Sequence, residues 1–233
     1  MNIRKRIIAA ATAAVIALSA VPFTLSLTTS ASTEIELGEN VTYNLENTDI
    51  LDSTGKYIYG IDNTTNYAII TGYQGEESVV NIPSELDGYP VIGIYGTYGN
   101  GCFGDGISRV VVPSGIEFIG DDVFRDCSLT SISLPDTLWY IGEYAFSGCS
   151  LTSISLPDTL WYIGERAFIG THLRSVTLPD NVTYLESKAF SGCQSLISVQ
   201  LPEGLTYIPS YCFKECSSLR SIRLPSTVDN IFE

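Results

Sequence analysis

Two consecutive segments of this chain are nearly identical. Residues Leu129–Ser150 and Leu151–His172 match at 18 of 22 positions. More divergent copies lie on both sides, at Ile107–Ser128, Leu173–Ser195, Leu196–Ser218 and, in part, Leu219–Glu233. A fixed period of 22 or 23 residues indicates a solenoid, in which each unit buries its apolar face only against its neighbours. Because such architectures usually bind other molecules, we expect a binding protein rather than an enzyme.

Each copy begins with a short predicted strand. Its inward column holds Val110, Ile132, Ile154, Val176, Val199 and Ile222. A second apolar residue two positions later is typical of a half-buried strand, and a proline then ends the strand because it lacks an N–H. Further along each copy a phenylalanine recurs in register, as Phe103, Phe124, Phe146, Phe168, Phe190 and Phe213. Too few residues surround it for a full helix, so we expect a single helical or 3₁₀ turn.

One copy shows the whole pattern, because Leu129–Cys149 combines Leu-x-x-Ile-x-Leu-Pro with Ile-Gly-x-x-Ala-Phe-x-x-Cys. This pattern resembles the BspA-like, or Treponema-type, leucine-rich repeat family over Ile107–Pro225, and less closely over Val79–Phe103. The resemblance implies a mainly β, right-handed leucine-rich repeat solenoid of short parallel strands and single helical or 3₁₀ turns. It also implies a bacterial protein, secreted or held at the cell surface, that serves in adhesion and has no shared catalytic site.

The chain divides into three predicted regions. Residues 1–31 have the pattern of a signal peptide, with a basic start at Arg4, an apolar run over Ile7–Leu18 and small residues at Thr29–Ala31. A retained membrane anchor is the alternative. Residues 32–76 are expected to form a β cap and residues 77–233 the solenoid, whose last repeat is incomplete. Its C-terminal end has no matching cap, so either the chain is part of a longer one or an open strand edge is available for self-association.

Charge and apolar runs narrow the range of partners. Without the three basic residues of residues 1–31, 9 basic residues face 26 acidic ones, a net charge of −17. Nucleic acid is therefore an unsuitable partner, since phosphate binding needs a basic surface. No second long apolar run follows residue 31, so we expect no membrane span in the mature chain.

The residues that carry chemistry are sparse. The single histidine, His172, cannot build a His-dependent triad or a multi-histidine metal site, and we expect no cofactor, no metal and no catalysis. The six cysteines fall in two repeat columns, whose side chains lie near the strand spacing of about 4.8 Å rather than the Cβ separation of about 3.8 Å that a disulfide needs. We therefore expect free core thiols, with Cys127–Cys149 and Cys193–Cys216 as the disulfide alternative.

An aromatic column supplies the candidate ligand-binding residues. They are Tyr140, Tyr162, Tyr184 and Tyr207, together with the adjacent Trp139 and Trp161. Flat rings with a polar edge suit glycan stacking or protein contacts, and a purely structural ladder is the alternative for the tyrosines. We expect the two tryptophans to be partly exposed.

The strands present a second candidate surface. Small polar residues flank the inward column of each strand, a composition that suits either a concave recognition surface or a plain solvent-facing one. We therefore predict an extracellular binding protein that acts in adhesion or protein recognition. The alternative is a carbohydrate-binding module that uses the aromatic column.

Overall fold

A computed structural model describes residues 33–37, 41–96 and 101–232 of the protein. The expected signal peptide, residues 1–31, lies outside the described residues. The N-terminal strands are β1 Thr33–Glu36, β2 Thr42–Leu51, β3 Tyr57–Asp62 and β4 Ala68–Tyr73. The strands of the coils are β5 Val79–Asn81, β6 Glu85–Leu86, β7 Tyr89–Ile94, β8 Arg109–Val111, β9 Phe118–Ile119, β10 Ser131–Ser133, β11 Tyr140–Ile141, β12 Tyr162–Ile163, β13 Ser175–Thr177, β14 Tyr184–Leu185, β15 Ser198–Gln200, β16 Tyr207–Ile208, β17 Ser221–Arg223 and β18 Asn230–Ile231. Among these described residues, no helix could cross a membrane.

The N-terminal strands continue directly into the solenoid. β1 to β4 pair antiparallel in chain order, and β4 then pairs in parallel with β7, the first strand of the long coil sheet. That sheet runs on through β9, β11, β12 and β14, with one strand from each successive coil. The mainly β solenoid of parallel strands that the repeat predicts is therefore confirmed.

The strand that begins each coil belongs to a separate set of parallel sheets. β5, β8 and β10 make one sheet, and β13, β15 and β17 make another. The coil between them, residues 151–172, contributes no strand to either sheet, although its sequence nearly repeats that of the preceding coil. The long sheet is interrupted elsewhere, between β14 and β16. The two interruptions fall in different coils. Each gap in one set of sheets is therefore bridged by paired strands of the other set.

The Ala-Phe segments differ from the helical or 3₁₀ turn expected from the sequence. In the segments around Phe124, Phe146, Phe168, Phe190 and Phe213, two residues have positive φ, such as Tyr144 at 53° and Gly148 at 70°. This left-handed conformation interrupts a right-handed helical turn. The same two residues, with Phe146 between them, donate backbone N–H groups to the next coil at 2.8–3.0 Å. The segments therefore form a third hydrogen-bonded ladder, the turn ladder, which runs without interruption from residue 122 to residue 214.

The core consists of stacked columns inside these three ladders. The phenylalanine column forms a continuous ring stack with centroid separations of 4.9–5.8 Å. All six cysteines are free and buried, as expected. Four of them donate Sγ–H to the phenylalanine carbonyl of the preceding coil; Cys149, for example, donates to Phe124 at 3.0 Å. Thr171 fills the equivalent slot in its coil and donates instead to Phe168 of the same coil at 3.0 Å.

Candidate recognition surfaces

The aromatic face is the outer side of the long sheet, where Trp139, Tyr140 and their equivalents lie. Both residues of the pair point outward, because Leu138 before them and Ile141 after them are fully buried in the core. The two rings meet edge to face at 5.5 Å. The sequence does not indicate that two adjacent residues share one side, since a straight strand would alternate them.

The rings of the aromatic face mainly contact one another. Tyr140 and Tyr162 stack with centroids 4.7 Å apart and planes within 7°. Trp139 and Trp161 stack at 5.6 Å and 14°, and Tyr184 meets Trp161 edge to face at 5.2 Å. Each stacked pair covers the ring faces that sugar stacking would need. The structure therefore brings five of the six predicted site residues into one ring cluster.

Tyr207, the sixth, stands apart from that cluster. It lies beyond the interruption between β14 and β16, and its ring meets Phe232 edge to face at 5.9 Å. It is half-buried, like Tyr162 and Tyr184.

The N-terminal segment covers one end of the aromatic face. Tyr43 stacks on Phe118 at 5.2 Å, and Ile35 and Leu45 belong to the same buried cluster as Trp139. Consequently Trp139 is only 4% exposed and does not have the partial exposure expected of it. Trp161, one coil further from the N-terminal strands, is half-buried as expected. The alternating apolar residues of β1 and β2 were the available signal for this cover.

The carboxylates near the aromatic face take part in structural hydrogen bonds. Tyr95 donates its hydroxyl to Asp121 at 3.0 Å, and the Glu143 N–H donates to the same carboxylate at 2.7 Å. Trp139 donates Nε1–H to Glu117 at 3.3 Å. Burial raises the pKa of both Asp121 and Glu117 above the ordinary carboxyl value, and burial together with Asp121 raises the pKa of Tyr140. Within the described residues, no group of three His, Cys, Asp or Glu side chains could hold a metal ion.

The polar strand face is the outer side of the short strand sheets and is built differently. Its first column holds Arg109, Ser131, Ser153, Ser175, Ser198 and Ser221, and its second holds Val111, Ser133, Ser155, Thr177, Gln200 and Arg223. All are exposed except Val111, which is half-buried. Strand registers such as Ser175 opposite Ser198 align each column across neighbouring coils. The result is a row of short polar side chains that leaves the strand surface open to solvent.

Comparison with known proteins agrees with this architecture. The sequence model of the BspA type leucine rich repeat region matches residues 99–233 in 6 copies. A leucine-rich repeat protein of T. pallidum is 34% identical, with a TM-score of 0.68 over 75% of this chain and 82% of that protein. A leucine-rich repeat protein of Bacteroides ovatus is 28% identical, with a TM-score of 0.64 over 76% of this chain. The alignment spans only 54% of the Bacteroides ovatus protein. No curated protein sequence matches the chain significantly.

Proposed function

This chain belongs to the BspA-type leucine-rich repeat family, and we propose that it is a non-catalytic extracellular protein that recognises other proteins through its polar strand face. We propose that this recognition serves adhesion to host matrix proteins or to other cells. The signal-peptide pattern of residues 1–31 supports the location, and the bacterial leucine-rich repeat proteins that resemble the chain support the role.

The open polar strand face is the observation that carries this proposal. Its exposed side chains repeat in register over several coils, whereas Trp139 and Tyr140 of the aromatic face are buried and its other four rings are half-buried. Small side chains on a regular sheet let a partner approach the surface closely, and repeated solenoid surfaces commonly serve as extended binding sites. Half-buried Ile132 and Ile154 add apolar area between the serines.

Carbohydrate binding at the aromatic face is the second candidate. One observation favours it: Trp161 is the last tryptophan of its stack, and the next coil has the small Thr183 at the same position. A sugar ring could contact the part of Trp161 that Tyr184 leaves uncovered, because an aromatic face suits apolar sugar faces.

Arrays of extracellular matrix proteins and of glycans, probed with the same full chain, test the two candidates. The polar strand face is altered by Ser131→Gln, Ser153→Gln and Ser175→Gln together, since Gln200 shows that the face accommodates glutamine. We expect protein ligands that lose at least about tenfold in affinity with this triple variant, because bulky side chains hold a partner off the sheet. Glycan ligands that are lost with Trp161→Ala, and unaffected by the triple variant, would replace the first candidate with the second.

We further propose that the protein self-associates at the C-terminal end of the described solenoid. Ile231 and Phe232 are exposed there, beside a pocket of about 390 Å³ that Phe213 helps to line. β17 and β18 are the outermost strands of their sheets among the described residues, and an outermost strand can pair with another chain. Sedimentation velocity over a range of concentrations should show association that Phe232→Ser weakens.

A further inference from the structure

In the described part of the chain, basic residues with an ion-pair partner and basic residues without one lie on different surfaces. Nine lysines and arginines follow residue 31. Five of them form ion pairs, namely Lys56, Arg125, Arg166, Lys188 and Lys214. The other four, Arg109, Arg174, Arg220 and Arg223, have no carboxylate within 4.0 Å among the described residues. All four lie on or beside strands of the polar strand face.

Three of these arginines form a compact group at the C-terminal half of the face. Arg174 directly precedes β13, and Arg220 directly precedes β17 two coils later. With strands about 4.8 Å apart, the two backbone positions are separated by roughly 10 Å. Arg223 ends β17, three residues beyond Arg220, which is again a separation of roughly 10 Å along a strand. All three side chains are exposed.

An apolar residue lies within this arginine patch. Ile197 occupies the coil between Arg174 and Arg220, and its N–H donates to the Arg174 carbonyl at 2.8 Å. It is 50% exposed, although the first coils of the same column carry Ser108, Thr130 and Thr152. The patch therefore differs from the first half of the face in both charge and apolar area.

The positive charge of this patch contrasts with the negative charge of the molecule as a whole. The mature chain has a net charge of −17, yet its 26 acidic residues include none in the columns of Arg174, Ser175 or Thr177. Unpaired guanidinium groups offer forked N–H donors that match carboxylates in two-point contacts. An electropositive surface on an acidic protein also steers an acidic partner to one place.

We propose that the arginine patch, Arg174, Ile197, Arg220 and Arg223, binds an acidic segment of a partner protein. This inference rests on the proposed function, because it specifies what the C-terminal half of the polar strand face recognises. A protein segment is favoured over an anionic polysaccharide because Ile197 presents apolar surface, which a peptide with mixed acidic and apolar side chains can cover. Nucleic acid is disfavoured by the overall negative charge.

The chain itself supplies conservative replacements for a test. Arg174→Thr and Arg220→Thr install the residue found at Thr130 and Thr152, and Arg223→Ser installs that of Ser133 and Ser155. The matched control is Arg109→Ser, which removes one unpaired positive charge from the first half of the same face. Thermal unfolding of each variant should match the parent, because all these positions are exposed.

Selection of random linear peptides against the full chain is the experiment. We expect the selected peptides to be rich in Asp and Glu, and their binding to weaken with added salt. The triple arginine variant should lose at least about tenfold in affinity, mainly through slower association. Arg109→Ser should stay within about twofold, because the control charge lies outside the patch.

Three results would overturn the inference. The first is a set of selected peptides without acidic enrichment, and the second is unchanged binding to the triple arginine variant. The third is binding of heparin, but of no acidic peptide, through the same arginines. Even with one of these results, the ligand can still lose binding to the triple glutamine variant at Ser131, Ser153 and Ser175. The proposed function then stands, and only this inference fails. If no bound peptide or protein responds to either triple variant, the proposed function fails as well.

Discussion

The aromatic face and the polar strand face come from the same repeat, yet the side chains of the first contact the next coil and those of the second remain exposed to solvent. Across the aromatic face, large rings contact their counterparts one coil away, as the 4.7 Å separation of Tyr140 and Tyr162 shows. Across the polar strand face, serines such as Ser175 and Ser198 lie opposite each other and remain exposed. Repetition therefore stabilises the solenoid where a side chain is large enough to contact the next coil, and leaves a free surface where it is small.

The largest expected effect comes from the core stack behind the turn ladder. Phe168 is fully buried and stacks at 5.2 Å on both Phe146 and Phe190. Phe168→Ala should lower the free energy of unfolding by about 3–5 kcal/mol, since a cavity is left between two rings. Urea unfolding followed by circular dichroism measures this. Ser175→Ala on the polar strand face is the control and should stay within about 0.5 kcal/mol.

The two tryptophans sharpen the comparison within the aromatic face itself. Trp139 is buried in the cluster that includes residues of the N-terminal strands and donates to Glu117, whereas Trp161 is half-buried. Trp139→Ala should therefore cost about 3–5 kcal/mol in unfolding free energy, and Trp161→Ala clearly less. Equal or reversed losses in the same urea assay would contradict the cover that β1 and β2 provide.

Two glycines allow separate tests of two backbone constraints, namely close approach between coils and left-handed conformation. A Cβ on Gly142 would lie 2.6 Å from the carbonyl carbon of Gly120 in the preceding coil. Gly170 has a φ of 71° and open space around it. Gly142→Ala should cost about 3 kcal/mol through overpacking, and Gly170→Ala about 1 kcal/mol through left-handed strain. Thermal unfolding of both variants measures the two losses of stability. A larger loss for Gly170→Ala than for Gly142→Ala would show that the spacing between coils relaxes freely.

The smallest expected effect is a pH dependence of stability, to which carboxylates near the aromatic face and carboxylates elsewhere contribute with opposite sign. Burial raises the folded-state pKa of Asp121 and Glu117, so both bind protons more readily in the folded protein than in the unfolded chain. Their contribution is then fully present below the ordinary carboxyl pKa of about 4 and is lost as pH rises through the folded-state pKa. The pKa values of Asp52 and Glu77 are lowered mainly by hydrogen bonds, and their opposite contribution is lost in more acidic solution.

We therefore expect the melting temperature to rise as pH falls from neutral toward about 5, and to fall again in stronger acid. Scanning calorimetry across this range measures both limbs. Asp121→Asn should reduce the rise, since the amide oxygen can still accept the Glu143 N–H but no longer titrates. A melting temperature that declines steadily from neutral pH would contradict the raised pKa values.

The repeat made the columns predictable from the sequence. A period that recurs in register assigns the inward positions Val110, Val176 and Val199 and the stacked phenylalanines without any knowledge of tertiary contacts. It also predicts free cysteines, because residues of one column point the same way at the strand spacing.

The remaining features depend on geometry that a repeat pattern does not encode. The left-handed conformation of Tyr144 and Arg166 is unusual for such residues and arises because their N–H groups donate to the next coil. The glycines Gly148, Gly170 and Gly192 at the other left-handed position were the signal for this conformation. Trp139 is buried in a cluster that includes Ile35 and Tyr43, about a hundred residues earlier in the chain. Such contacts are invisible to a 22-residue period.

Hydrogen–deuterium exchange with a captured protein ligand tests the central claim most directly. Residues Ser153–Ser155 belong to no strand, so their amides should exchange quickly in the free protein. Our account predicts that the ligand slows exchange there and along β10 and β13, while residues 160–163 are unchanged. Protection limited to residues 160–163 and Tyr184, with Ser153–Ser155 unaffected, would contradict recognition through the polar strand face.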